Sequence, residues 1–237
     1  SRKGKAMQTP QTIKNSLITS LLLLCGSANA VDLSQLSSKD ANSGLKAALE
    51  QGANAAITKL GVADGFLNNE KVKIPLPSIL EKAKPILKLS GQGKHLDELV
   101  VAMNRAAETA VPMAKPLLLD AVKTMSVTDA KNILSGGETS VTDFFRQKTA
   151  TTLTTKFTPT VKTVTDKVGL AGKYNTVMAK AQKMGAVPEK EATVESYVSG
   201  KAVDALYTMI AEEEKKIRQD PIGTGSKIIG KVFGLLK

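Results

Sequence analysis

From Ala41 to Leu236 the apolar residues recur every three or four positions with almost no interruption. That spacing gathers them on one face of a 3.6-residue helix, and it constrains the fold more than any other feature of the chain. Apolar–polar alternation, the mark of a half-buried strand, is confined to Val72, Ile74 and Leu76 set between Lys71, Lys73 and Pro75. There is no strand–helix–strand alternation and no long repeat. The expectation is an all-α protein, an irregular multi-helix bundle without significant β-sheet.

The period can be followed helix by helix. Ala41, Leu45, Ala48, Leu49, Gly52, Ala56 and Leu60 predict a first helix, with Asp40 as N-cap and Gly61 as its stop. Residues 61–77 (GVADGFLNNEKVKIPLP) break the period with glycines, an Asn pair and two prolines. This is the longest non-helical stretch, and such a loop is suited to edge a groove. Ser78–Leu89 reads as a short helix bent at Pro85, followed by a turn at 90–93. Leu96, Leu99, Val100, Met103, Ala106, Ala107 and Ala110 form the next stripe. Val101 falls on the opposite face, which predicts burial on two sides. Pro112 and Pro116 bend or restart the chain before a helix ending at Met125.

Ser126-Val-Thr-Asp129 and Ser140-Val-Thr-Asp143 each place a hydroxyl and, three residues on, a carboxylate where both can satisfy free backbone N–H groups. The threonine-rich run 149–165 keeps Leu153, Phe157, Val161 and Val164 at helical spacing, with an interruption expected near Pro159. Further helices are predicted over Tyr174–Met184, over Ala192–Arg218 with Gly200 as its candidate break, and over Ile222–Leu236.

Residues 7–30 read as a secretory signal peptide. Lys14 lies in a polar start, an apolar run follows from Leu17 to Cys25, and Ala28-Asn29-Ala30 offers the small-x-small cleavage pattern. The apolar run is too short to span a bilayer, which takes about 20 residues. Leu24 before Cys25 does not suit lipid attachment. The expected organisation is therefore an upstream extension plus cleavable signal peptide over 1–30. A single all-helical domain, with room for two lobes, follows over 31–237, and cleavage after Ala30 would deliver it to the periplasm. Cleavage would also remove Cys25, the single cysteine. Disulfides, thiolate metal sites and a cysteine nucleophile would go with it.

The first 30 residues carry Arg2, Lys3, Lys5 and Lys14 and no acid, so a formal charge of +11 becomes +7 without them. A basic exported protein can meet anionic lipid, glycan or nucleic acid. Without tryptophan and with 3% aromatics, the chain lacks the stacking platforms used for sugars and single strands. Specific nucleic-acid binding is not expected, whereas a membrane surface remains open as a partner. Beyond residue 30 only Arg105, Arg146 and Arg218 are arginines. Arginine suits planar pairing with carboxylate or phosphate better than lysine does.

His95 is the one histidine, so a catalytic triad or a clustered metal site has too few members. Gly223-Thr-Gly225 lacks the strand that a phosphate-cradling loop follows. No catalytic residue, metal ligand or cofactor is assigned. The candidate ligand-binding residues are Asn104, Arg105, Glu108, Arg146, Glu213 and Glu214. Asn104 and Glu108 are i, i+4 neighbours off the apolar stripe and read as a solvated face. Glu213 and Glu214 flank the stripe Val203, Leu206, Tyr207, Ile210 and Ile217. They are either solvated, with pairs such as Glu212–Lys216 and Glu214–Arg218, or one turns inward against Arg105 or Arg146. In the C-terminal segment, Ile228, Ile229, Val232 and Phe233 would be buried if the helix docks on the bundle. Lys227, Lys231 and Phe233 would be the contacts if it lies on a membrane.

Five segments in order, GLKAALEQGANAAITKLG (44–61), DGFLNNEKVKIPLP (64–77), ELVVAMNRAAETAVPMAKPLLLDAV (98–122), DAKNILSGG (129–137) and MIAEEEKKIRQDP (209–221), carry a resemblance over about Leu33–Phe233. The chain resembles an uncharacterised bacterial exported family, the domain of unknown function numbered four-one-nine-seven. The resemblance implies an all-helical envelope protein and brings no residue roles with it. The functional expectation is an exported, non-enzymatic module for an unknown protein or small molecule. Its groove would be floored by the Leu96–Val111 helix and edged by the 61–77 loop. The competing expectation is association with anionic lipid through the basic C-terminus, and a carboxylate enzyme at Glu213 or Glu214 is a third.

Overall fold

A computed structural model describes residues 37–234, and the signal-peptide reading of 7–30 lies outside them. Among the described residues nine α-helices follow one another: α1 (Ser38–Leu60), α2 (Ser78–Leu89), α3 (Gly93–Ala110), α4 (Lys115–Lys123), α5 (Val127–Ser135), α6 (Ser140–Thr165), α7 (Gly169–Lys183), α8 (Val194–Gln219) and α9 (Lys227–Gly234). No strand occurs among them. The all-α expectation is correct.

Two 26-residue helices, α6 and α8, pack along each other and form the spine. Their seam is apolar at helical spacing: Phe145, Leu153, Phe157 and Val161 from α6 meet Val198, Ala202, Leu206 and Ile210 from α8. Helix α3 crosses α6, and α1 lies on α8. The small residues Ala106, Ala107 and Ala110 of α3 are fully buried, as expected where backbones approach closely.

Helix α6 is not interrupted at Pro159. Its threonines return their hydroxyls to the helix: Thr154, Thr158, Thr163 and Thr165 each donate to the carbonyl four residues back. This satisfies side chains that would otherwise compete with the helix. Burial of Leu153, Phe157 and Val161 on both sides of the proline supplies the rest. Helix α8 likewise runs through Gly200 without a break.

The capping expectations divide. Ser126 and Asp129 form the reciprocal box at the start of α5. Ser140 does not cap α6; it is already helical, and its hydroxyl donates to the Ile133 carbonyl at 3.1 Å, tying α6 to the end of α5. At α1 the N-cap is Ser37, not Asp40. The Ser37 hydroxyl accepts from the Asp40 N–H, leaving the Asp40 carboxylate free to pair with Lys231 at 2.8 Å. That Lys231 bond, with Ser37 next, holds the Asp40 carboxyl below its ordinary value.

The C-terminal helix begins at Lys227, later than Ile222, and it docks. Ile229, Val232 and Phe233 are buried and Ile228 is half-buried, largely against α1. The Arg218 guanidinium sits over the Phe233 ring, 5.5 Å from its centroid. Phe233 is therefore a core residue rather than a membrane contact, and Lys231 is engaged with Asp40.

Tyr174 and Tyr197 fix the ends of α8's surroundings. The Tyr174 hydroxyl donates to the Glu191 carbonyl at 2.8 Å, and the Tyr197 hydroxyl to the Pro75 carbonyl at 3.1 Å. Burial pushes both phenols from 10.0 up to about 12. In the unfolded chain they ionise near 10, so their contribution is complete below that pH and is lost as pH rises through about 12. Alkaline unfolding is expected across that window, coincident with tyrosinate absorbance. The double variant Tyr174→Phe/Tyr197→Phe should unfold at a higher pH; an unchanged alkaline limit would contradict the assignment.

Candidate functional site

Asn104 and Glu108 stand one turn apart on α3, off its main stripe, yet both are buried (0% and 5% exposed) rather than solvated. What covers them is the 61–77 loop. Asn104 Oδ1 accepts the Ile74 N–H at 2.8 Å, while Nδ2 donates to the Ile74 and Val100 carbonyls at 2.9 and 2.8 Å. Glu108 Oε1 accepts the N–H groups of Phe66 and Leu67 at 3.0 and 3.1 Å. The loop has no strand partner, so these two side chains supply the hydrogen bonds its buried backbone requires. Phe66, Val72, Ile74 and Leu76 then fill the space above α3. The alternation at 72–76 is genuine burial, and between this loop and α3 a shallow cleft of about 470 Å³ stays open, lined by Leu67, Lys73 and Leu76 on one side and by Asp97, Val100 and Val101 on the other.

Arg105 does not pair with Glu213 or Glu214. Its guanidinium bridges Glu108 and Asp64, each at 2.8 Å. The Glu108 bond, then the Asp64 bond, raises its pKa further above the ordinary arginine value. Asp64 is held in the left-handed region at φ 68°, a conformation aspartate tolerates better than most residues. Arg146 pairs with Asp204 at 2.7 Å and lies over the Tyr207 ring at 5.2 Å. Both members of that pair are half-exposed.

The two glutamates of α8 diverge. Glu214 is buried and pairs with Arg218, the i, i+4 partner expected from the sequence. Glu213 pairs with Lys59 of α1 and with Lys216. Burial opposes its ionisation, but the two lysine bonds outweigh that and hold its carboxyl below the ordinary range. Each carboxylate is neutralised by its own neighbours, and neither faces the other candidates. The six candidates thus fall into three separate clusters: the α3 clasp, the Arg146 pair on α6 and α8, and the α8 glutamates.

Two larger grooves open elsewhere on the described residues. One, of about 690 Å³, lies beside the Gly136-Gly137 turn and is lined by Thr208, Glu214 and Arg218. Of its charged walls Glu214 and Arg218 pair with each other, and Glu212 pairs with Lys71 outside it. The larger, of about 750 Å³, runs between α3 and the junction of α6 with α7. Val101, Ala102, Val164, Val168 and Leu170 give it an apolar lining, and Lys94, Lys167 and Lys173 stand at its rim. Val101 is 43% exposed because it faces this groove, not a second layer of core. On the α3 wall, Glu98 lies 3.2 Å from His95 Nδ1 and forms an ion pair with Lys94 at 3.8 Å. Among the described residues, Lys167 and Lys173 enter no ion pair. Of the six candidates read from the sequence, Arg105 alone contributes to this rim.

The family described as protein of unknown function (DUF4197) matches residues 35–234. The chain belongs to that family. No curated protein and no solved structure matches it. The match spans every described helix and the 61–77 clasp of this chain.

Within this DUF4197 chain, sequence reasoning missed Lys167, Val168, Leu170 and Lys173. Their signal was a short one: Lys167-Val-Gly-Leu170 interrupts the helical period between two long helices, and Val101 lay on the wrong face of α3. Only the packing of α3 against α6 brings the two together.

Proposed function

We propose that this protein is an exported, non-enzymatic binding protein of the bacterial periplasm. Its site is the groove between α3 and the α6–α7 junction, and its ligand is an elongated apolar molecule with one anionic group. The observation that carries the reading is the pairing of an apolar lining with Lys167 and Lys173, which enter no ion pair among the described residues. The volume of about 750 Å³ lies within the range of small-molecule sites. The periplasmic address rests on the signal-like residues 7–30.

Calorimetric titration of the periplasm-recovered chain tests it, with dodecanoate as the anionic probe and dodecanol as its neutral counterpart. Lys167→Ala/Lys173→Ala should weaken dodecanoate by roughly tenfold, the loss of a charge-assisted contact, and leave dodecanol unchanged. Val101→Asp should abolish both by placing a charge in the apolar lining. Equal loss of both probes in the lysine variant, or no binding by the parent chain, would overturn the reading.

A further inference from the structure

Helix α2 is amphipathic, yet none of its twelve residues is buried. Only one flank of its apolar arc rests on the bundle, through the half-buried Leu80 and Leu87. The other flank carries Ile79, Ile86 and Leu89, which are 43%, 72% and 90% exposed. At 100° per residue these three share one stripe, and Lys82 falls between Ile86 and Leu89 within it. Lys84 and Glu81 point away from the stripe, into a shallow cleft beside Val100 and Val101. On α2 itself Lys82, Lys84 and Lys88 stand against Glu81 alone; Lys84 pairs with Glu81 at 3.4 Å, while Lys82 and Lys88 enter no ion pair among the described residues.

We infer that this stripe of α2 docks on the surface of an anionic bilayer, with the helix lying in the interfacial plane. Three exposed aliphatic side chains on one face of a lysine-rich helix are the composition of an interfacial helix. Lys82 decides between a bilayer and a protein partner. Lysine is depleted from the cores of protein interfaces, whereas at a membrane its stem lies along the apolar layer and its ammonium reaches the headgroups. The stripe also lacks the tyrosine, tryptophan or arginine anchors that dominate protein contacts. The excess of lysine complements anionic headgroups. Among the described residues no helix is long and apolar enough to cross a membrane, in keeping with an in-plane contact. This surface is distinct from the α3–α6–α7 groove and does not depend on what that groove binds.

A local probe tests it. The single cysteine is moved, Cys25→Ser with Ser90→Cys, and a polarity-sensitive dye is attached at position 90, next to the stripe. Adding phosphatidylglycerol vesicles to the full chain should blue-shift the dye. Phosphatidylcholine vesicles should need at least about tenfold more lipid for the same shift, and high salt should weaken the response. Ile86→Asp/Leu89→Asp, whose side chains are exposed and leave the core untouched, should abolish the shift while helicity and melting stay as in the parent. The probe reads α2 alone, so any contribution from the N-terminal segment is common to all variants and does not mimic the result. An unshifted dye, an equal shift in the aspartate variant or an equal response to phosphatidylcholine would overturn the inference. So would a shift that grows with protein concentration in the absence of vesicles, which would assign the stripe to a second copy of the chain.

Discussion

Replacing Asn104 with leucine should destabilise the protein by about 3–5 kcal/mol, since it strands a buried N–H and a buried carbonyl of Ile74 together. For a domain of this size that is a fall in Tm of roughly 10 °C. Leucine fills a similar volume, so the loss cannot be assigned to a cavity. Arg105→Ala should cost only a small fraction of that, because its exposed guanidinium leaves Glu108 still bonded to two backbone N–H groups. Thermal melts of the two variants side by side give the comparison. If Arg105→Ala proved the more damaging, the clasp would depend on the ion pair rather than on the side chains that hold the loop backbone. Hydrogen exchange at Phe66, Leu67 and Ile74 should accelerate in Asn104→Leu ahead of the α6–α8 seam.

Gly44→Ala should also be strongly destabilising, against the usual helix preference. In an exposed helix that change gains about 1 kcal/mol. Here the added Cβ would lie 2.3 Å from Val232 Cγ2 and 3.0 Å from the Ile228 carbonyl oxygen. The second of these is backbone, so relief requires α9 to move away from α1. Overpacking of this kind costs roughly 1–3 kcal/mol, and more once Ile229, Val232 and Phe233 lose their cover. Trypsin should then cut at Lys227 and Lys231 well before the rest of the bundle. Adding Val232→Ala should restore part of the loss by removing the overlapping methyl. A Gly44→Ala protein that melts with or above the parent would show that α9 is not held against α1 as described.

The helices were legible because apolar periodicity is a local property, and α1, α3, α6 and α8 each carry it over several turns. Their interruptions were not. Pro159 and Gly200 look like breaks one residue at a time, but the burial on either side of each belongs to the α6–α8 seam, which only packing supplies. Asn104 and Glu108 were visible as a polar pair and misplaced as a solvated one. The clue lay in the loop instead: Val72, Ile74 and Leu76 demand burial, and an extended segment without a strand partner must obtain its hydrogen bonds from side chains beneath it. Arg105 was recognised as an arginine suited to bracing a buried glutamate. Its partner, Glu108, was three residues away rather than on α8. The groove was the least legible feature: Val101 stood out as an apolar residue on the wrong face of α3, but Lys167–Lys173 lie far from it in the chain and only packing joins them.

That groove is the centre of the functional account. The most direct measurement is a methyl NMR titration of the chain with dodecanoate, following valine and leucine side chains. The account predicts shifts confined to Val101, Val164, Val168 and Leu170, with the buried Val161 and Val198 unmoved. Shifts centred on the Gly136-Gly137 groove, or none at concentrations where dodecanoate stays monomeric, would contradict it.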